Sequence, residues 1–373
     1  MKSVGVDARC LSQRLTGIGK YCLNLCKALQ AHGFRLKLFS PRNVPIQELG
    51  LEMCELVNGD CSSRAKSFYW QQFVLPDLLS RESLDIFWGP SHRLPLRLNS
   101  SAVKVLTVHD LVWRQVPFTM KFENYLAERL FMPKSLCLAD IVFTSSEATK
   151  NQLLAYMPDL DGKTFCIGSG VPSPYHEKQK PQQSIATLEK FSLLDRDFIL
   201  AVGTNEPRKN LGRLIQAYFN LPSELLEKYD LVLAGSKGWN AKKLQTDKGC
   251  TNKPNVHWLD YVTEQQLSAL YAKASCFIFP SLYEGFGLPI LEAQRQLTPV
   301  ITSNNSSMPE VAGKSALFID PYQISDITEK MITLLSSSQL RNSLSRSGYS
   351  NSTKYSWHHC VALFDQHVSK VIM

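Results

Sequence analysis

Short apolar runs alternate with amphipathic helical patterns along most of this sequence. The apolar runs have the length and the bulky side chains of strands, and between them apolar residues recur three or four positions apart, as on one face of a helix. Predicted strands of the first half lie at residues 4–6, 36–39, 85–88, 103–108, 141–144 and 164–167, and predicted helices at 19–29 and 120–138. This order favours a parallel sheet with crossover helices, the doubly wound α/β class.

The same alternation starts again in the second half. Predicted strands lie at residues 198–203, 231–235, 256–259 and 276–280, and a predicted helix at 211–219. At 373 residues the chain is longer than one hydrophobic core usually supports, so two Rossmann-like domains are expected. We place the first over residues 1–175 and the second over residues 197–350.

Two segments outside these domains have patterns of their own. Residues 176–196 are predicted to be a linker, because prolines and a polar run interrupt the alternation there. Residues 351–373 are predicted to contain an amphipathic helix, since their apolar residues from Trp357 to Val368 are spaced by three or four. We expect this helix to pack back on the first domain.

Composition and charge exclude several classes of protein. Hydrophobic residues make up 44% of the chain and charged residues 20%, as in an ordinary soluble globular protein. No apolar run approaches the roughly 20 residues that span a bilayer, so an integral membrane protein is not expected. The net charge of +8 favours anionic partners. The sequence has no zinc finger and no ribonucleoprotein motif, so no nucleic acid is expected among them.

The start of the chain and its cysteines indicate a cytoplasmic protein. Asp7 and Arg9 lie where a secretory signal needs an apolar run, so the start is interpreted as the first strand of the fold. The ten cysteines include no Cys-x-x-Cys pair, so neither a zinc site nor a disulfide framework is expected. Lys121, Arg129 and Lys134 flank apolar residues at helical spacing, which leaves peripheral association with the inner membrane face open; the alternative is an ordinary surface helix.

The segment with the clearest chemical signal lies at residues 283–293. It follows a buried strand, and Gly285 and Gly287 allow its backbone to turn closely around a ligand. A helix then begins, whose free N–H groups favour a phosphate, while Glu284 and Glu292 favour the hydroxyl groups of a sugar or ribose. The segment therefore predicts a nucleotide-sugar site. The alternative is a glycine-rich turn in which Glu292 only complements the helix dipole.

Basic and imidazole side chains follow two other predicted strands. Arg208 and Lys209 suit a diphosphate and the charge on a departing one, and Asn210 suits the N-cap of the next helix. His109 follows the strand at 103–108. The alternatives are a solvated basic turn and a structural histidine. Because ligands of open α/β sheets bind beyond the carboxyl ends of strands, the functional cleft is expected between the two domains.

Two further motifs carry weaker signals. Gly17 and Gly19 lie at a strand-to-helix junction, where glycine permits the backbone to approach a phosphate, but many helices begin after glycine. Asp159 and Asp161 form an acidic pair in a polar turn without a preceding strand, which favours an exposed loop over a metal site. No metal site is predicted.

These motifs together resemble the retaining glycosyltransferases of the GT-B fold, specifically glycosyltransferase family four. The resemblance rests on residues 16–21, 108–111, 202–210, 259–263 and 303–320 and on the Glu284-x7-Glu292 motif. It covers nearly the whole chain and implies two Rossmann-like domains that face a central cleft. The sequence is most similar to the branch that holds bacterial mannosyltransferases of O-antigen and other surface-polysaccharide assembly.

One segment departs from the family pattern. After Glu292 and Ala293 the family usually has small residues and a glycine, whereas this chain has Gln294, Arg295, Gln296 and Leu297. We therefore expect a different helix end at this position.

The resemblance also implies a role for each matched residue. Arg208 and Lys209 would hold the donor diphosphate, Glu284 the hydroxyl groups of the transferred sugar, and Glu292 those of the ribose. His109 would contact the donor sugar near the reacting carbon, and the base would lie near Tyr261 and Val262. Further donor contacts are implied for Gly17, Gly19, Gly203, Gly285, Phe286, Gly287 and Leu288.

The implied activity is that of a retaining, metal-independent hexosyltransferase. Mannose from GDP-mannose is the favoured donor group, and the acceptor is a saccharide or lipid-linked saccharide in lipopolysaccharide or other surface-polysaccharide biosynthesis. No cofactor is expected besides the nucleotide-sugar substrate. One alternative is a UDP- or dTDP-sugar donor, because these residues do not define a base pocket. Another is a catalytically degenerate subunit that binds nucleotide or glycan.

Overall fold

The computed structural model of the protein describes residues 2–12, 15–58, 64–98, 100–175, 181–236 and 255–372. The chain divides into two compact units. The first comprises Met1–Trp113, Lys121–Gly170 and Ser356–Met373, and the second comprises Arg114–Met120 and Val171–Tyr355. Each unit is built on its own parallel sheet.

The first unit contains a seven-stranded parallel sheet with the order β3-β2-β1-β4-β5-β6-β7. Its strands are β1 Ser3–Asp7, β2 Arg35–Ser40, β3 Glu55–Asn58, β4 Ile86–Gly89, β5 Val103–Val108, β6 Ile141–Thr144 and β7 Thr164–Cys166. The direction of strand addition reverses between β1 and β4. At such a switch point the crossover helices leave a crevice beyond the carboxyl ends of the strands.

The helices of the first unit cover this sheet. They are α1 Gly17–Ala31, α2 Arg64–Tyr69, α3 Leu75–Ser80, α4 Val112–Gln115 at the boundary of the unit, α5 Phe122–Leu138 and α6 Glu147–Tyr156. A π-helical turn at Trp70–Val74 joins α2 to α3. The buried face of α1 includes Cys22 and Cys26, so these two cysteines act as small core residues.

The helix Trp357–Ile372 belongs to the first unit, although it lies at the far end of the sequence. Its Val361, Phe364 and Val368 are at most 1% exposed and lie in the same core as the strands of that unit. The Phe364 ring contacts the rings of Trp88 on β4 and Phe143 on β6. The predicted return of this helix to the first domain is confirmed.

The second unit contains a six-stranded parallel sheet with the order β10-β9-β8-β11-β12-β13. Its strands are β8 Asp197–Val202, β9 Tyr229–Ala234, β10 Val256–Leu259, β11 Cys276–Phe279, β12 Val300–Ser303 and β13 Ala316–Ile319. Its helices are α7 Pro181–Lys190, α8 Leu211–Phe219, α9 Ser223–Lys228, α10 Glu264–Lys273, α11 Leu288–Arg295, α12 Met308–Ala312, α13 Ile324–Ser336 and α14 Ser338–Ser352.

Strand β11 shows why a continuous apolar run predicts a strand of this sheet. Phe277 and Phe279 lie in the core on one face of the sheet, and Cys276 and Ile278 lie in the core on the other face. A strand with both faces covered needs apolar residues at every position, without alternation. The doubly wound, Rossmann-like class predicted for both units is confirmed.

The predicted linker differs from the structure in its described part. Residues 176–180 lie outside the described residues, but 181–190 form helix α7, and Leu188 and Leu193 lie in the core of the second unit. The prolines that suggested a linker include Pro181, which begins this helix, where a missing N–H group costs nothing. Among the described helices, none is both long enough and apolar enough to cross a membrane.

Candidate active site

The candidate site of the second unit lies at its topological switch point. Strands β8 and β11 are neighbours in the sheet, and strand addition proceeds outward from them in opposite directions. The loop after β8 carries Arg208 and Lys209, and the loop after β11 carries Glu284. The two segments predicted to bind a donor are therefore brought together by the strand order.

Glycines shape the backbone on which the basic side chains stand. Gly203 follows β8 with φ 148° and Gly235 follows β9 with φ 155°. A Cβ atom on Gly235 would lie 2.1 Å from the carbonyl oxygen of Gly203, so this close approach requires glycine. A Cβ on Gly203 would lie 3.2 Å from Cε of Lys209, so the Lys209 side chain runs against the Gly203 backbone.

Asn210 joins the two loops, and its predicted role as an N-cap is wrong. Its backbone is left-handed, with φ 59°, and its side chain makes no capping hydrogen bond to helix α8. The Nδ2 group donates instead to the carbonyl oxygens of Pro280 at 3.0 Å and Pro321 at 2.7 Å. These long-range bonds satisfy two loop carbonyl groups, and a sequence pattern gives no sign of them.

Glu284 lies between the two cations. One carboxylate oxygen is 2.7 Å from Lys209 Nζ and the other is 2.6 Å from Arg208 Nη1, which also donates to the Tyr283 carbonyl oxygen at 2.9 Å. Glu284 is 8% exposed. The Lys209 ammonium also lies 4.7 Å from the ring centre of Phe279, a favourable cation–π distance. The cluster carries two positive charges and one negative charge in a largely dry site.

Burial and ion pairing act against each other on the pKa of Glu284. Burial raises that pKa, but Arg208 and Lys209 together lower it from 4.5 to about 2, so the group is a carboxylate near neutral pH. Burial also lowers the pKa of Lys209, and neighbouring Arg208 lowers it further against the pull of Glu284. On the pKa of Lys209, pairing therefore offsets only part of the effect of burial, whereas on that of Glu284 it outweighs burial.

The loop after Glu284 is held by two serines that the sequence analysis did not select. Ser306 Oγ accepts the backbone N–H of Glu284 at 3.1 Å, and Ser307 Oγ donates to the carbonyl oxygens of Glu284 and Phe286 at 3.0 and 2.8 Å. Gly287 then takes a left-handed conformation, with φ 104°, directly before α11. Together with Gly285, these contacts bring the loop backbone and the first N–H groups of α11 beside the charged cluster.

Glu292 lies one turn into α11 and is 1% exposed. The hydroxyl group of Tyr271, on α10, donates a hydrogen bond to its Oε2 at 3.1 Å. Burial and the neighbouring Glu292 raise the pKa of Tyr271 well above its ordinary value, so the phenol keeps its proton. Tyr271 therefore orients the Glu292 carboxylate. No motif surrounds Tyr271, so sequence reasoning missed it.

The helix end after Glu292 carries larger residues than the small ones and glycine of the family pattern, and its contacts account for two of them. Gln294 donates to the Ala312 carbonyl oxygen and accepts a bond from Asn351, and Gln296 donates to the Tyr175 carbonyl oxygen. Leu297 has φ 60° at the position where a helix usually ends with glycine. The two buried glutamines thus replace small residues by connecting α11 to α14 and to the start of the unit.

Tyr261 and Val262 follow β10 at the same edge of the sheet, where the resemblance implies the base. Tyr261 is 51% exposed, which leaves much of its ring open to stacking. Val262 packs partly on the core of the second unit. Gly203, Gly285, Phe286, Gly287 and Leu288 lie in the loops and the helix start already described.

The remaining predicted residues belong to the first unit. His109 follows β5, and its Nε2 lies 2.7 Å from the carbonyl oxygen of Pro90. Because a carbonyl only accepts, Nε2 carries the proton and Nδ1 carries the lone pair. Burial and neighbouring His92 lower the pKa of His109 to about 3, so the ring is neutral. His109 therefore has Nδ1 available as a hydrogen-bond acceptor.

The two glycines at the start of α1 have different surroundings. A Cβ on Gly19 would lie 3.0 Å from the Cys10 carbonyl oxygen, so close packing inside the unit accounts for this glycine. A Cβ on Gly17 would meet no atom within 4 Å. Packing gives no reason for glycine at Gly17, which leaves space there for a ligand.

Two Rossmann-like units of this kind are found in GT-B glycosyltransferases, and comparison with known proteins agrees with this class. Residues 15–173 match the family described as Glycosyltransferase Family 4, and residues 186–351 match Glycosyl transferases group 1. The chain is 31% identical over 366 residues to O-antigen chain mannosyltransferase B of Escherichia coli, covering 93% of this chain and 94% of that protein.

Two solved structures illustrate the likeness of fold. One is WaaG, a glycosyltransferase involved in lipopolysaccharide biosynthesis, with a TM-score of 0.75, 15% identity and coverage of 97% of this chain and 98% of WaaG. The other is Anabaena HepE in complex with UDP and glucose, with a TM-score of 0.78, 15% identity and coverage of 99% and 100%. The chain belongs to glycosyltransferase family 4 and has the GT-B fold, which confirms the resemblance drawn from the motifs.

Proposed function

We propose that this glycosyltransferase transfers mannose from GDP-mannose, with retention of configuration and without a metal ion, to a saccharide or lipid-linked saccharide of a surface polysaccharide. The observation that carries the proposal is the Arg208–Glu284–Lys209 cluster at the switch point of the second unit. The name of the Escherichia coli relative, an O-antigen chain mannosyltransferase, supports the choice of sugar and of acceptor class.

Each group of the cluster has a part in the proposed reaction. Arg208 and Lys209 bind the diphosphate and stabilise the charge that develops on it as the sugar leaves. Glu284 accepts hydrogen bonds from the sugar hydroxyl groups, and N–H groups at the start of α11 face the phosphates. His109 contributes the Nδ1 lone pair to a hydroxyl group of the transferred sugar. An oxygen of the leaving diphosphate takes the acceptor proton, so that the new bond forms on the face where the old one breaks.

The net positive charge of the cluster favours an anionic leaving group. With Glu284 ionised, Arg208 and Lys209 leave one positive charge that the carboxylate does not neutralise. A diphosphate brings further negative charge, and both cations have several N–H donors to share between the carboxylate and phosphate oxygens. Glu284 holds the cations in place before the donor binds. In this proposal they stabilise the negative charge of the leaving diphosphate, as a divalent metal ion does in other enzymes.

Replacing Tyr271 by phenylalanine is expected to raise the KM for the nucleotide sugar about tenfold with little change in kcat. The phenol orients Glu292, to which we assign the ribose hydroxyl groups, and a hydrogen bond to a charged group contributes roughly 1.5 kcal/mol. The ribose is remote from the bond that breaks, so the variant should lower the affinity for the donor without lowering the rate of sugar transfer. Initial rates over a range of donor concentrations measure the change.

Tyr218→Phe is the matched control for this variant. Tyr218 is also fully buried in the second unit, but its hydroxyl group donates to the backbone carbonyl oxygen of Tyr229. We expect its loss to lower stability and to leave the KM for the donor unchanged. An unchanged KM in Tyr271→Phe, or an equal rise in both variants, would contradict the role of Tyr271.

The donor is tested by incubating the protein with a panel of GDP-, UDP- and dTDP-sugars and measuring slow hydrolysis, which needs no acceptor. GDP-mannose should turn over fastest, and GDP should raise the melting temperature more than UDP or dTDP. An aromatic ring such as that of Tyr261, which is 51% exposed, stacks on any base, so a UDP- or dTDP-sugar is the alternative outcome. If none of the sugars turns over while nucleotide still binds, the protein is a degenerate binding subunit.

The metal-free part of the proposal is tested with EDTA. Activity that survives the chelator is expected, because Arg208 and Lys209 supply the positive charge. A complete loss that added Mg²⁺ or Mn²⁺ reverses would overturn this part while leaving the donor assignment intact.

A lipid-linked acceptor would bring the protein to the inner face of the membrane. Helix α5 exposes Phe122, Leu126 and Leu130, four residues apart, with Lys121 and Arg129 beside them, as surface-lying helices do. We expect sedimentation with phosphatidylglycerol vesicles but not with phosphatidylcholine vesicles, and release at high salt. Equal behaviour with both kinds of vesicle would contradict this attachment.

A further inference from the structure

His92 is a buried histidine in an unusual backbone conformation next to His109. It lies in the loop after β4, is 7% exposed and has φ 62°. Few residues other than glycine adopt this left-handed region, and where one does the surrounding contacts hold it there. The proposed function gives His92 no part, so its contacts need an explanation.

The contacts of His92 fix the position of its ring proton. The backbone N–H of His109 donates to His92 Nε2 at 3.1 Å, so Nε2 must carry a lone pair. The ring proton then lies on Nδ1, which faces Oε2 of Glu128 at 3.5 Å. The two imidazole rings lie 5.5 Å apart, so the backbone bond and the ring contact both connect His92 to His109.

Glu128 reaches this site from helix α5. Its side chain is 13% exposed, and its other oxygen lies 3.5 Å from Arg93 Nη2. Burial raises the pKa of Glu128, but His92 and Arg93 lower it overall, so the group is ionised near neutral pH. The carboxylate favours the tautomer of His92 with the proton on Nδ1, and so leaves Nε2 as the acceptor.

Four groups act on the protonation of His92. Burial lowers its pKa, Glu128 and Asp110 raise it to a net value above the ordinary one, and Arg93 opposes them. His109 adds its backbone N–H, which binds only the unprotonated ring. A proton on Nε2 would leave the buried His109 N–H without its acceptor, which disfavours protonation of His92. His109 itself has a pKa of about 3, so it stays neutral at every pH at which His92 titrates.

We propose that His92 and Glu128 are positioning residues for sugar transfer: Glu128 holds His92 in the tautomer that accepts the His109 N–H, and protonation of His92 releases the loop that presents His109. The inference rests on the proposed function, in which His109 contacts the transferred sugar. His92 and Glu128 touch neither substrate, and they act only through the His109 backbone.

The test compares the pH dependence of kcat in wild type, Glu128→Gln and Glu123→Gln. Glutamine at 128 keeps the size of the side chain and an oxygen that faces Nδ1, so the kcat plateau at high pH should be retained. Loss of the negative charge makes His92 harder to protonate, so the acid limb should move to lower pH by about one unit. Glu123 is an exposed residue of the same helix, and Glu123→Gln changes the charge equally, so its acid limb should match wild type.

Two variants of His92 test whether its side chain positions His109 as a hydrogen-bond acceptor or only fills space. His92→Gln offers a carbonyl oxygen to the His109 N–H and does not titrate, so it should retain most of kcat and lose the acid limb that His92 causes. His92→Phe offers no acceptor, and its kcat should fall about 10- to 100-fold at unchanged KM. Coincident acid limbs in Glu128→Gln and wild type, or full kcat in His92→Phe, would overturn the proposal.

A measurement without turnover keeps this inference separate from the proposed function. Long-range ¹⁵N–¹H spectra of histidine-labelled protein, with the His92 signals identified by their loss in His92→Gln, should show the proton on Nδ1 at pH 8. In Glu128→Gln the titration of those signals should move to lower pH. A proton on Nε2 at pH 8 would refute the positioning role even if the enzyme transfers sugar.

Discussion

Replacing Glu284 by glutamine is expected to lower the rate of sugar transfer about a thousandfold and the free energy of unfolding by about 3 kcal/mol. The substitution keeps the size of the side chain but leaves Arg208 and Lys209 buried without their shared counter-ion. Initial rates and thermal unfolding measure the two effects. A nucleoside diphosphate should raise the melting temperature more in the variant than in wild type, because its phosphates supply the missing negative charge.

The pH dependence of stability distinguishes this ion pair from a packing effect. The folded pKa of Glu284, about 2, lies below its ordinary value of 4.5, so its contribution is present above pH 4.5 and is lost as the pH falls towards 2. Glu284→Gln should lack this part of the acid destabilisation. Glu206→Gln is the control, since Glu206 lies 4.0 Å from Arg208 but is 36% exposed, and it should behave like wild type. Full transfer by Glu284→Gln would refute the site.

Lys209→Met is expected to remove nearly all transfer activity and to raise the pH at which Glu284 takes up a proton in the folded protein. Methionine keeps an unbranched side chain against Gly203 and Phe279 but has no positive charge. Burial then raises the pKa of Glu284 with only Arg208 opposing it, so Glu284 becomes protonated at a higher pH than in wild type. The pH dependence of thermal unfolding records the shift, because the acid limb of the rate is assigned to His92.

Lys330→Met controls for the loss of one positive charge from the second unit. Lys330 lies on α13 and pairs with Asp326 and Glu329 at the surface, so its removal should leave the rate and its pH profile unchanged. If the acid destabilisation of Lys209→Met matches that of wild type, Lys209 does not lower the pKa of Glu284. If Lys209→Met also retains the wild-type rate, the proposed role of Lys209 in diphosphate binding is wrong.

Most internal strands of both sheets were predictable because burial on two faces demands a continuous apolar run. Strand β11 shows this, since each of its four residues is buried. The internal strand β12, whose four residues are all buried, was nevertheless missed, as was the edge strand β13. Strand β3 was missed because it lies at the edge of its sheet, is only four residues long and has no fully buried residue. The predicted linker was likewise misleading, because Pro181 interrupts the apolar pattern and yet begins a helix.

The members of the charged cluster were predictable, but their pairing was not. Their positions at strand ends indicated that Arg208, Lys209 and Glu284 share a site. The cations were predicted to bind phosphate and the carboxylate to bind sugar, but no pattern indicated that the three groups bind one another in the free protein. Contacts such as those of Asn210 and Tyr271 depend on chain segments 21 to 111 residues away, and no local pattern records them.

The return of the helix Trp357–Ile372 to the first unit sets an order on how the protein is made. The ribosome synthesises strands β1 to β7 long before Phe364 and Val368, which pack in the core against those strands. The second unit, Val171–Tyr355 with Arg114–Met120, has its whole sequence available earlier. The second unit can therefore finish folding first, and the first unit reaches its final packing last, with its apolar surface exposed to chaperones in the interval.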